Sequence, residues 1–274
     1  AKQGKHTAAD RDRQVGHNPD DRAGAGKMGL QGGHVGAGED RDDGGTRGYP
    51  ASDLGSEGAQ LLGLAAETAK TKTLTYRGRS IDPFLEPERL SVAEAFNRFG
   101  NIDLLATIAP DGETDRDHLA AELKQAGIRS ADDDSWADMF SRVIVERVEP
   151  KLGFERATIL DEYPTSEAAL ARRSPADSRV AERFELYACG VELANAFGEL
   201  TDAAEQRRRF EAEMREKQRV YGETYPIDED LLAALEIMPA ASGIALGFDR
   251  LVMLATGAPR IDLVMWAPVP DYGS

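Results

Sequence analysis

Apolar side chains between residues 90 and 153 recur every three or four positions, the spacing of a helix with one buried face. The pattern predicts helices over residues 90–100, 114–127 and 133–153. Ser91 is a candidate N-cap of the first helix and Gly100 its end, while Pro150 should end the third. The apolar stripes consist of Val92, Phe96 and Phe99, of Leu119 and Leu123, and of Trp136, Phe140, Val143 and Ile144. Their simplest interpretation is a hydrophobic core.

The period changes to two in the stretch RVAERFELYACG, residues 179–190, which predicts a β-strand. One face of this strand would carry Phe184, Leu186 and Ala188, and the other Glu185, Tyr187 and Cys189. Gly190 can turn the chain back into the stretch VELANAFGEL, residues 191–200. We therefore expect an antiparallel hairpin.

More elements are predicted after the hairpin. They are helices over residues 201–222, 228–239 and 249–257 and a strand over residues 241–248. Thr201 is a candidate N-cap of the first of these helices, and Gly222 is its expected end. Its apolar side would carry Phe210, Met214 and Tyr221. Helices followed by a hairpin and a strand–helix unit predict an α+β domain with a mainly antiparallel sheet flanked by helices.

Residues 1–60 differ from the rest in composition, since they hold about half of the 27 glycines but few large aliphatic residues. Such a segment cannot bury a core, and we expect it to be disordered or irregular. Its bias toward Ala, Gly, Arg and Asp would also fit GC-rich DNA read in the wrong frame. Its histidines and aspartates show no recurring metal-ligand spacing. The expected organisation is therefore a low-complexity segment 1–60 and a globular domain 61–274.

Charge and cysteine content exclude several classes of function. The chain of 274 residues has a net charge of −16, which argues against general binding to nucleic acids or anionic membranes. Its one cysteine, Cys189, excludes an internal disulfide and is typical of a reducing cytosol. We find neither a signal peptide nor an apolar run of about 18 residues, so a cytoplasmic protein without a membrane span is expected.

Polar residues in the hairpin are candidates for a binding site. Asn195, Phe197 and Glu199 are two residues apart and would share one face of a strand, where they could hold a cationic amine. Glu192 would need a bulge or a strand end to join that face, and Glu185 could meet it across the hairpin. Two adjacent carboxylates indicate Mg²⁺ or a substrate ammonium between them. The alternative is a set of solvent-facing residues on a half-exposed sheet.

The stretch GIALGFDRLVML, residues 243–254, places the small residues Gly243, Ala245 and Gly247 at alternate positions before Arg250. A strand with this pattern could form the floor under a flat ligand. Arg250 would then lie at a helix start, where a cation is unfavourable unless an anion binds there. The alternatives are a glycine-kinked strand leading into a core helix, and a salt bridge between Arg250 and a nearby acid.

Several of these segments together resemble class II aminoacyl-tRNA synthetases. GIALGFDRLVML is similar to motif 3 of that class, a glycine-rich strand followed by an ATP-binding arginine. The segments 161–173, DEYPTSEAALARR, and 183–210, RFELYACGVELANAFGELTDAAEQRRRF, resemble the lysyl-tRNA synthetase subgroup. Within it, the chain most resembles the elongation factor P–lysine ligase family over residues 61–270. Ala245 and the segment 76–105 favour that branch, since lysyl-tRNA synthetases usually carry glycine at the position of Ala245.

The resemblance implies a fold, a reaction and roles for particular residues. The fold would be part of a class II catalytic domain, and the reaction an ATP-dependent activation of lysine or β-lysine with transfer to a lysine of elongation factor P. ATP and Mg²⁺ would be the cofactors. The implied roles are Glu185 and Glu192 as ligands of ATP and Mg²⁺, Gly247 and Arg250 at ATP with Arg250 as the catalytic phosphate clamp, and Asn195, Phe197, Glu199 and Ala245 around the amino acid.

Segments resembling motifs 1 and 2 of the class are not found in the sequence. Motif 1 forms the dimer interface of the family, and motif 2 supplies an arginine that holds the α-phosphate. Without them, impaired or absent activity is expected, and tRNA is not an expected partner. The other hypotheses are a C-terminal fragment of a lysyl-tRNA synthetase, and a non-catalytic module that binds a nucleotide or a partner through its sheet.

Overall fold

The computed structural model describes residues 51–267. The helices are α1 (Ala51–Thr68), α2 (Val92–Gly100), α3 (Arg116–Gln125), α4 (Trp136–Val143), α5 (Ala203–Tyr221), α6 (Glu229–Leu235) and α7 (Phe248–Thr256). The strands are β1 (Leu74–Tyr76), β2 (Arg79–Ile81), β3 (Glu88–Ser91), β4 (Thr158–Asp161), β5 (Arg183–Ala188), β6 (Val191–Gly198) and β7 (Ser242–Leu246). None of the helices in this range is both long and apolar enough to cross a membrane.

The main sheet has five strands in the order β3-β4-β5-β6-β7, and β1 and β2 form a separate antiparallel pair. Strands β3 and β4 are parallel, and the other neighbours are antiparallel. Each face of the sheet has its own hydrophobic cluster. On one face, Leu160 and Tyr187 pack with helices α2, α3 and α4, and on the other, Leu186 and Ala196 pack with α1 and α7. The predicted α+β class with a mainly antiparallel sheet is confirmed.

The helices α2 and α3 follow their apolar stripes closely. Ser91 caps α2 in a reciprocal capping box with Glu94, and the left-handed Asn101 follows the last helical residue, Gly100. In α3, Leu119 and Leu123 are both fully buried. These two helix predictions are confirmed.

The predicted helix 133–153 is three pieces rather than one. Helix α4 ends at Val143, a π-helical turn covers Ile144–Val148, and a 3₁₀ turn covers Glu149–Lys151. Pro150 has no N–H to donate to the preceding turn, so a regular α-helix cannot continue through it. The apolar stripe still faces the core, because Ile144 and Val148 are both buried.

Helix α1 crosses the expected domain boundary at residue 61, since it begins at Ala51. It packs on the sheet through glycines. We judged this segment by its few large aliphatic residues and therefore did not predict the helix. A Cβ on Gly55 would lie 3.1 Å from the Ile159 side chain, and one on Gly58 would lie 3.4 Å from that of Ile244. Residues 1–50 lie outside the described range, so the organisation expected for them stays a prediction.

The hairpin of β5 and β6 has a two-residue turn, Cys189 and Gly190, both with positive φ as a type I′ turn requires. A bulge follows, because Tyr187 pairs with Glu192 while Leu186 pairs with Ala194. The hairpin prediction is therefore confirmed. The placement of Cys189 on the face of Glu185 was wrong: the turn directs its thiol to the opposite cluster, where it donates to the Leu74 carbonyl at 3.3 Å.

The C-terminal elements also match the predictions, with three corrections. Helix α6 ends at Leu235, four residues before the predicted end at Pro239. The N-cap of α5 is Asp202 rather than Thr201, because the Asp202 carboxylate accepts from the Glu205 N–H. Tyr221 is 72% exposed and does not belong to a buried side. Gly222 ends α5 in the left-handed conformation, as predicted. Strand β7 leads directly into α7, so the order of these two elements is also confirmed.

Candidate functional site

One face of the main sheet divides into two regions. At the covered end, helices α2, α3 and α4 pack over β3, β4 and β5, where Leu90, Leu160 and Tyr187 are buried. At the open end, β6 and β7 carry Glu192, Asn195, Phe197, Gly243 and Ala245, all partly or fully exposed. The pairing of Asn195 with Ala245 and of Phe197 with Gly243 places these residues on the same face. The strands thus bring most of the predicted site residues together.

The bulge in β6 brings Glu192 to this face. Two cross-strand pairs flank the bulge, Tyr187 with Glu192 on one side and Glu185 with Asn195 on the other. A regular strand would have turned Glu192 toward α1 and α7, because it is three residues from Asn195. The sequence spacing of Glu192 and Asn195 predicted that a bulge or a strand end was needed here, and the structure contains the bulge.

Glu185 lies at the centre of the sheet, is 8% exposed, and accepts hydrogen bonds from four donors. Its Oε2 accepts from the hydroxyls of Tyr163 and Tyr187, each at 2.6 Å. Its Oε1 accepts from Arg183 at 2.6 Å and from the Asn195 amide nitrogen at 3.3 Å. Burial raises the pKa values of both tyrosines, and the Glu185 charge raises them further. The hydroxyls therefore stay protonated and act as donors.

The amide of Asn195 is satisfied on one side only. Its nitrogen donates to Glu185, while its Oδ1 is buried and has no hydrogen-bond partner in the described residues. A buried acceptor without a partner costs about 1–3 kcal/mol, so a donor that reached it would be bound favourably. Beside it, the guanidinium carbon of Arg183 lies 4.2 Å from the centroid of the Tyr163 ring and 5.8 Å from that of the Phe197 ring.

Glu199 follows the end of β6, where its carboxylate covers the position of Gly243. A Cβ on Gly243 would lie 2.6 Å from the Glu199 Oε1. Burial raises the pKa of this carboxylate, while the positive charge of Arg172 acts in the opposite direction. A carboxylate beside an amide oxygen that has no donor among the described residues suits a ligand that brings an ammonium group.

Arg250 lies in the first turn of α7 and contacts Glu192. Its Nη1 donates to the Glu192 carbonyl at 2.8 Å and lies 3.5 Å from the Glu192 carboxylate. The alternative of a salt bridge to a nearby acid therefore describes this structure, with both side chains well exposed. Gly247 donates its N–H to the Leu193 carbonyl at 2.8 Å, and a Cβ there would lie 3.2 Å from Arg250.

The charges around Glu192 fit a divalent cation that is held together with a phosphate ligand. Burial, and then the charge of Glu185, raise the pKa of Glu192. Burial and the charges of Glu185 and Glu192 likewise raise the pKa of Glu149. The described residues contain no group of three or more His, Cys, Asp or Glu that could hold a metal alone. Mg²⁺ commonly takes one or two carboxylates and completes its shell with phosphate oxygens and water, which this arrangement permits.

Some residues of the site were not singled out by the sequence. Tyr187 was expected on the face of Glu185, but its hydroxyl contact was not anticipated. The strand pattern did not indicate Tyr163, because this residue lies 22 positions from Glu185 along the chain. It did not indicate Arg183 either, because a charged residue at the start of a strand is common on a protein surface. The proposed roles of the predicted site residues at ATP, Mg²⁺ and the amino acid are not tested by the geometry and stay predictions.

Comparison with known proteins adds the family. Residues 64–269 match the family "tRNA synthetases class II (D, K and N)". The chain is 46% identical over 183 residues to the elongation factor P–(R)-β-lysine ligase of Proteus mirabilis, covering 66% of this chain and 55% of the relative. It is 45% identical over 179 residues to the same ligase of Edwardsiella ictaluri, covering 65% and 54%.

The ligase of Klebsiella pneumoniae strain 342 is 44% identical over 179 residues, which cover 65% of this chain and 54% of the relative. The chain thus spans about half the length of the curated relatives it matches. The family match covers most of the described residues, including both strands of the hairpin, β7 and α7. The chain therefore belongs to the class II tRNA synthetase family (D, K and N).

Proposed function

We propose that the open end binds lysine or β-lysine beside ATP, and that the protein activates this amino acid for transfer to a lysine of elongation factor P. The observation that carries the proposal is the buried Asn195 Oδ1, which has no partner among the described residues, on the face where the Glu199 carboxylate lies against Gly243. Both oxygens can accept hydrogen bonds from a substrate ammonium group. The names of the relatives, which are elongation factor P–(R)-β-lysine ligases, support the choice of substrate and partner.

On the amino-acid side, Asn195 and Glu199 would accept from the ammonium groups, while Phe197 would contact the aliphatic stem. Ala245 and Gly243 would form the floor, because both lie on the open face and neither has a bulky side chain. The Asn195 Oδ1 is buried in the unliganded chain, so neighbouring side chains would have to move by the width of an ammonium group.

On the nucleotide side, Arg250 would exchange its long contact with the Glu192 carboxylate for a phosphate. This exchange costs little, because an exposed ion pair at 3.5 Å contributes at most about 1 kcal/mol. Glu192, with Glu185 behind it, would face the cation. Gly247 leaves room for the nucleotide beside Arg250. Mg²⁺ would neutralise phosphate charge when bound.

The reaction would proceed in two transfers. A carboxylate oxygen of the amino acid attacks the α-phosphorus of ATP, the bond to the bridging oxygen breaks, and pyrophosphate leaves. The amine of a lysine side chain then attacks the acyl carbon of the adenylate, loses a proton and releases AMP. This chain's residues would position the reactants and stabilise charge, and they form no covalent intermediate.

The test measures binding and activation separately. Calorimetric titration with lysine and with β-lysine should show binding of at least one, and the same compound should support ATP–pyrophosphate exchange. Glu199→Gln should weaken that binding about thirtyfold, since it removes the negative charge facing an ammonium. The exposed Glu113→Gln is the matched control and should bind like the unchanged chain. Absence of binding by both compounds, or equal binding by the Glu199 variant, would refute the proposal.

A further inference from the structure

Residues 168–171 lie between β4 and β5, outside any helix or strand, and a side chain of α5 holds their backbone. The Arg209 Nη1 donates to the carbonyls of Ala168 and Ala171, each at 2.8 Å. The Ala168 carbonyl also accepts from the Ala171 N–H at 3.1 Å. One guanidinium thus binds both ends of this segment, which we call the linking segment.

The linking segment pairs with the end of β6, where Glu199 lies. Ala171 is opposite Glu199 in an antiparallel bridge. Two backbone hydrogen bonds flank this pair, from the Leu200 N–H to the Leu170 carbonyl at 2.9 Å and from the Arg172 N–H to the Gly198 carbonyl at 2.8 Å. In a pair of this kind the two opposite residues make no hydrogen bond to each other, and their side chains lie close together. The buried Ala171 is therefore a direct neighbour of the Glu199 side chain.

This pairing leaves the Ala171 carbonyl directed away from β6, and Arg209 supplies its donor. Ala171 is fully buried, so water cannot easily replace that donor. A buried carbonyl that loses its partner costs free energy, which favours a shift of the backbone toward another donor. Such a shift would displace Ala171 and, through the backbone pairing, the end of β6 that carries Glu199.

Arg209 is itself held in place within α5. Its side chain is 11% exposed, and its Nε donates to the Glu205 Oε1 at 3.0 Å. Burial acts to raise the pKa of Glu205, but hydrogen bonds from Arg208 and Arg209 outweigh it and lower the pKa to about 2. The planar guanidinium can thus hold a charged carboxylate through Nε and both carbonyls through Nη1, which the single ammonium of a lysine could not do in the same geometry.

We infer that Arg209 is a positioning residue for the amine site, because it holds the linking segment against the end of β6 and so fixes the place of Glu199. Helix α5 begins at Ala203, just after β6, so Arg209 and Glu199 belong to one closed ring of contacts. The inference rests on the proposed function for what Glu199 binds. The contacts of Arg209 themselves do not depend on it.

Arg209→Met tests the inference in the full chain. Met is also a long side chain but donates no hydrogen bond, so the carbonyls of Ala168 and Ala171 lose their donor. Calorimetric titration should show the affinity for lysine or β-lysine lowered about tenfold, with MgATP affinity changed less than twofold. Unchanged amino-acid affinity would overturn the inference. A loss of MgATP affinity as large as the loss of amino-acid affinity would overturn it too.

Arg208→Met is the matched control. Arg208 precedes Arg209 in α5 and also pairs with Glu205, but its side chain is 64% exposed. Both affinities of this variant should stay within about twofold of those of the unchanged chain. A tenfold loss of amino-acid affinity here would mean that the charge around Glu205, and not the hold on the linking segment, determines the amine site. That result would contradict the role assigned to Arg209.

A second readout does not depend on substrate. In the ¹⁵N-labelled full chain, hydrogen exchange of the Leu200 amide reports on its bond to the Leu170 carbonyl. Arg209→Met should speed this exchange about tenfold, while the Gly247 amide, bound to the Leu193 carbonyl near the start of β6, should exchange as before. An unchanged Leu200 rate, or equal acceleration at both amides, would overturn the inference.

The two readouts also separate the inference from the proposed function. If the unchanged chain binds neither lysine nor β-lysine, the proposed function fails. The exchange rates of the Leu200 and Gly247 amides then decide alone whether Arg209 holds the linking segment on the end of β6.

Gln206→Met serves if the Arg209 variant does not fold. The Gln206 Nε2 donates to the Ala169 carbonyl of the linking segment at 3.2 Å, and the residue is 2% exposed. We expect faster Leu200 exchange and an amino-acid affinity lowered about threefold. Gln218→Met, at an exposed position of the same helix, is the matched control and should change neither readout. Unchanged exchange and affinity in the Gln206 variant would overturn the inference.

Discussion

The covered end and the open end lie on the same face of one sheet, yet their side chains differ in kind. At the covered end, Phe96 stacks on Phe140 at 5.1 Å, and Phe140 stacks on Trp136 at 5.4 Å. At the open end, the pair Asn195 and Ala245 leaves small and polar groups exposed. The same face thus buries aromatic side chains at one end and exposes small and polar groups, which can bind a ligand, at the other.

The difference indicates that stability and binding depend on separate parts of the face. Burial of large apolar side chains contributes most of the favourable free energy of folding, and the covered end holds the larger share of them on this face. An unpaired acceptor such as the Asn195 oxygen reduces stability. The burial of apolar side chains at the covered end therefore offsets the folding free energy that is lost at the open end.

The largest expected effect is a loss of stability from a substitution at the covered end. Phe96→Ala should lower the free energy of unfolding by about 4 kcal/mol, because Phe96 is fully buried and its removal leaves a cavity beside Phe140. Urea denaturation measures the change. Phe248→Ala, which removes a ring that is 67% exposed, should change the same quantity by less than about 1 kcal/mol. Similar losses in the two variants would mean that the covered end is not the main source of stability.

The covered end is also the part that the sequence predicted best. Its helices have buried positions at regular spacing and strong local start signals, as Ser91 and Glu94 show. The π-helical turn was not predicted, because Ile144 and Val148 fit an α-helical stripe equally well. Strand β4 is only four residues long and gave no alternation to detect. Thr201 and Asp202 are both good capping residues, so the pattern could not choose between them.

The next effect concerns Glu167, which lies near both Arg183 and the covered-end residue Asp138. Burial raises its pKa from 4.5 to about 7, while Arg183 acts in the opposite direction. Between these two pH values the folded chain holds a proton that the unfolded chain has lost. The free energy of unfolding should therefore fall as pH rises from 4.5 to 7, and the contribution is fully present only below 4.5.

Glu167→Gln removes this dependence. The variant should be more stable than the unchanged chain by about 2 kcal/mol at pH 8, and equally stable at pH 4. Urea denaturation at both pH values provides the measurement, with Glu113→Gln as the control that should show no such difference. A stability change in the Glu167 variant that is the same at pH 4 and pH 8 would contradict the assigned pKa.

The smallest effect sharpens the description of the open end. Gly243→Ala would place a methyl group 2.6 Å from the Glu199 Oε1, so the carboxylate must move. We expect the affinity for lysine or β-lysine to fall about tenfold, which is about 1.4 kcal/mol, without loss of MgATP affinity. Titration with each ligand measures both. Equal loss for both ligands would indicate that β7 as a whole is disturbed and that Gly243 is not specific to the amine side.

At the open end, the sequence predicted which residues share a face but not what they bind among themselves. Asn195, Phe197 and Ala245 could be placed because strand alternation and the hairpin turn define their positions. The donors around Glu185 could not, since Tyr163 reaches it only through the tertiary fold. Periodicity assigns a side chain to a face, whereas a hydrogen bond requires the position of a second, distant element.

The two-residue turn at Cys189 and Gly190 also bears on the order in which the chain folds. Strands joined by so short a connection can pair without closing a long loop, whereas β3 and β4 must meet across the whole of α2, α3 and α4. Loop closure costs more entropy as the loop grows, and non-local pairing slows folding. Glu185, Glu192 and Asn195 would thus acquire their mutual register early, and the helices of the covered end would later fix an arrangement that already exists.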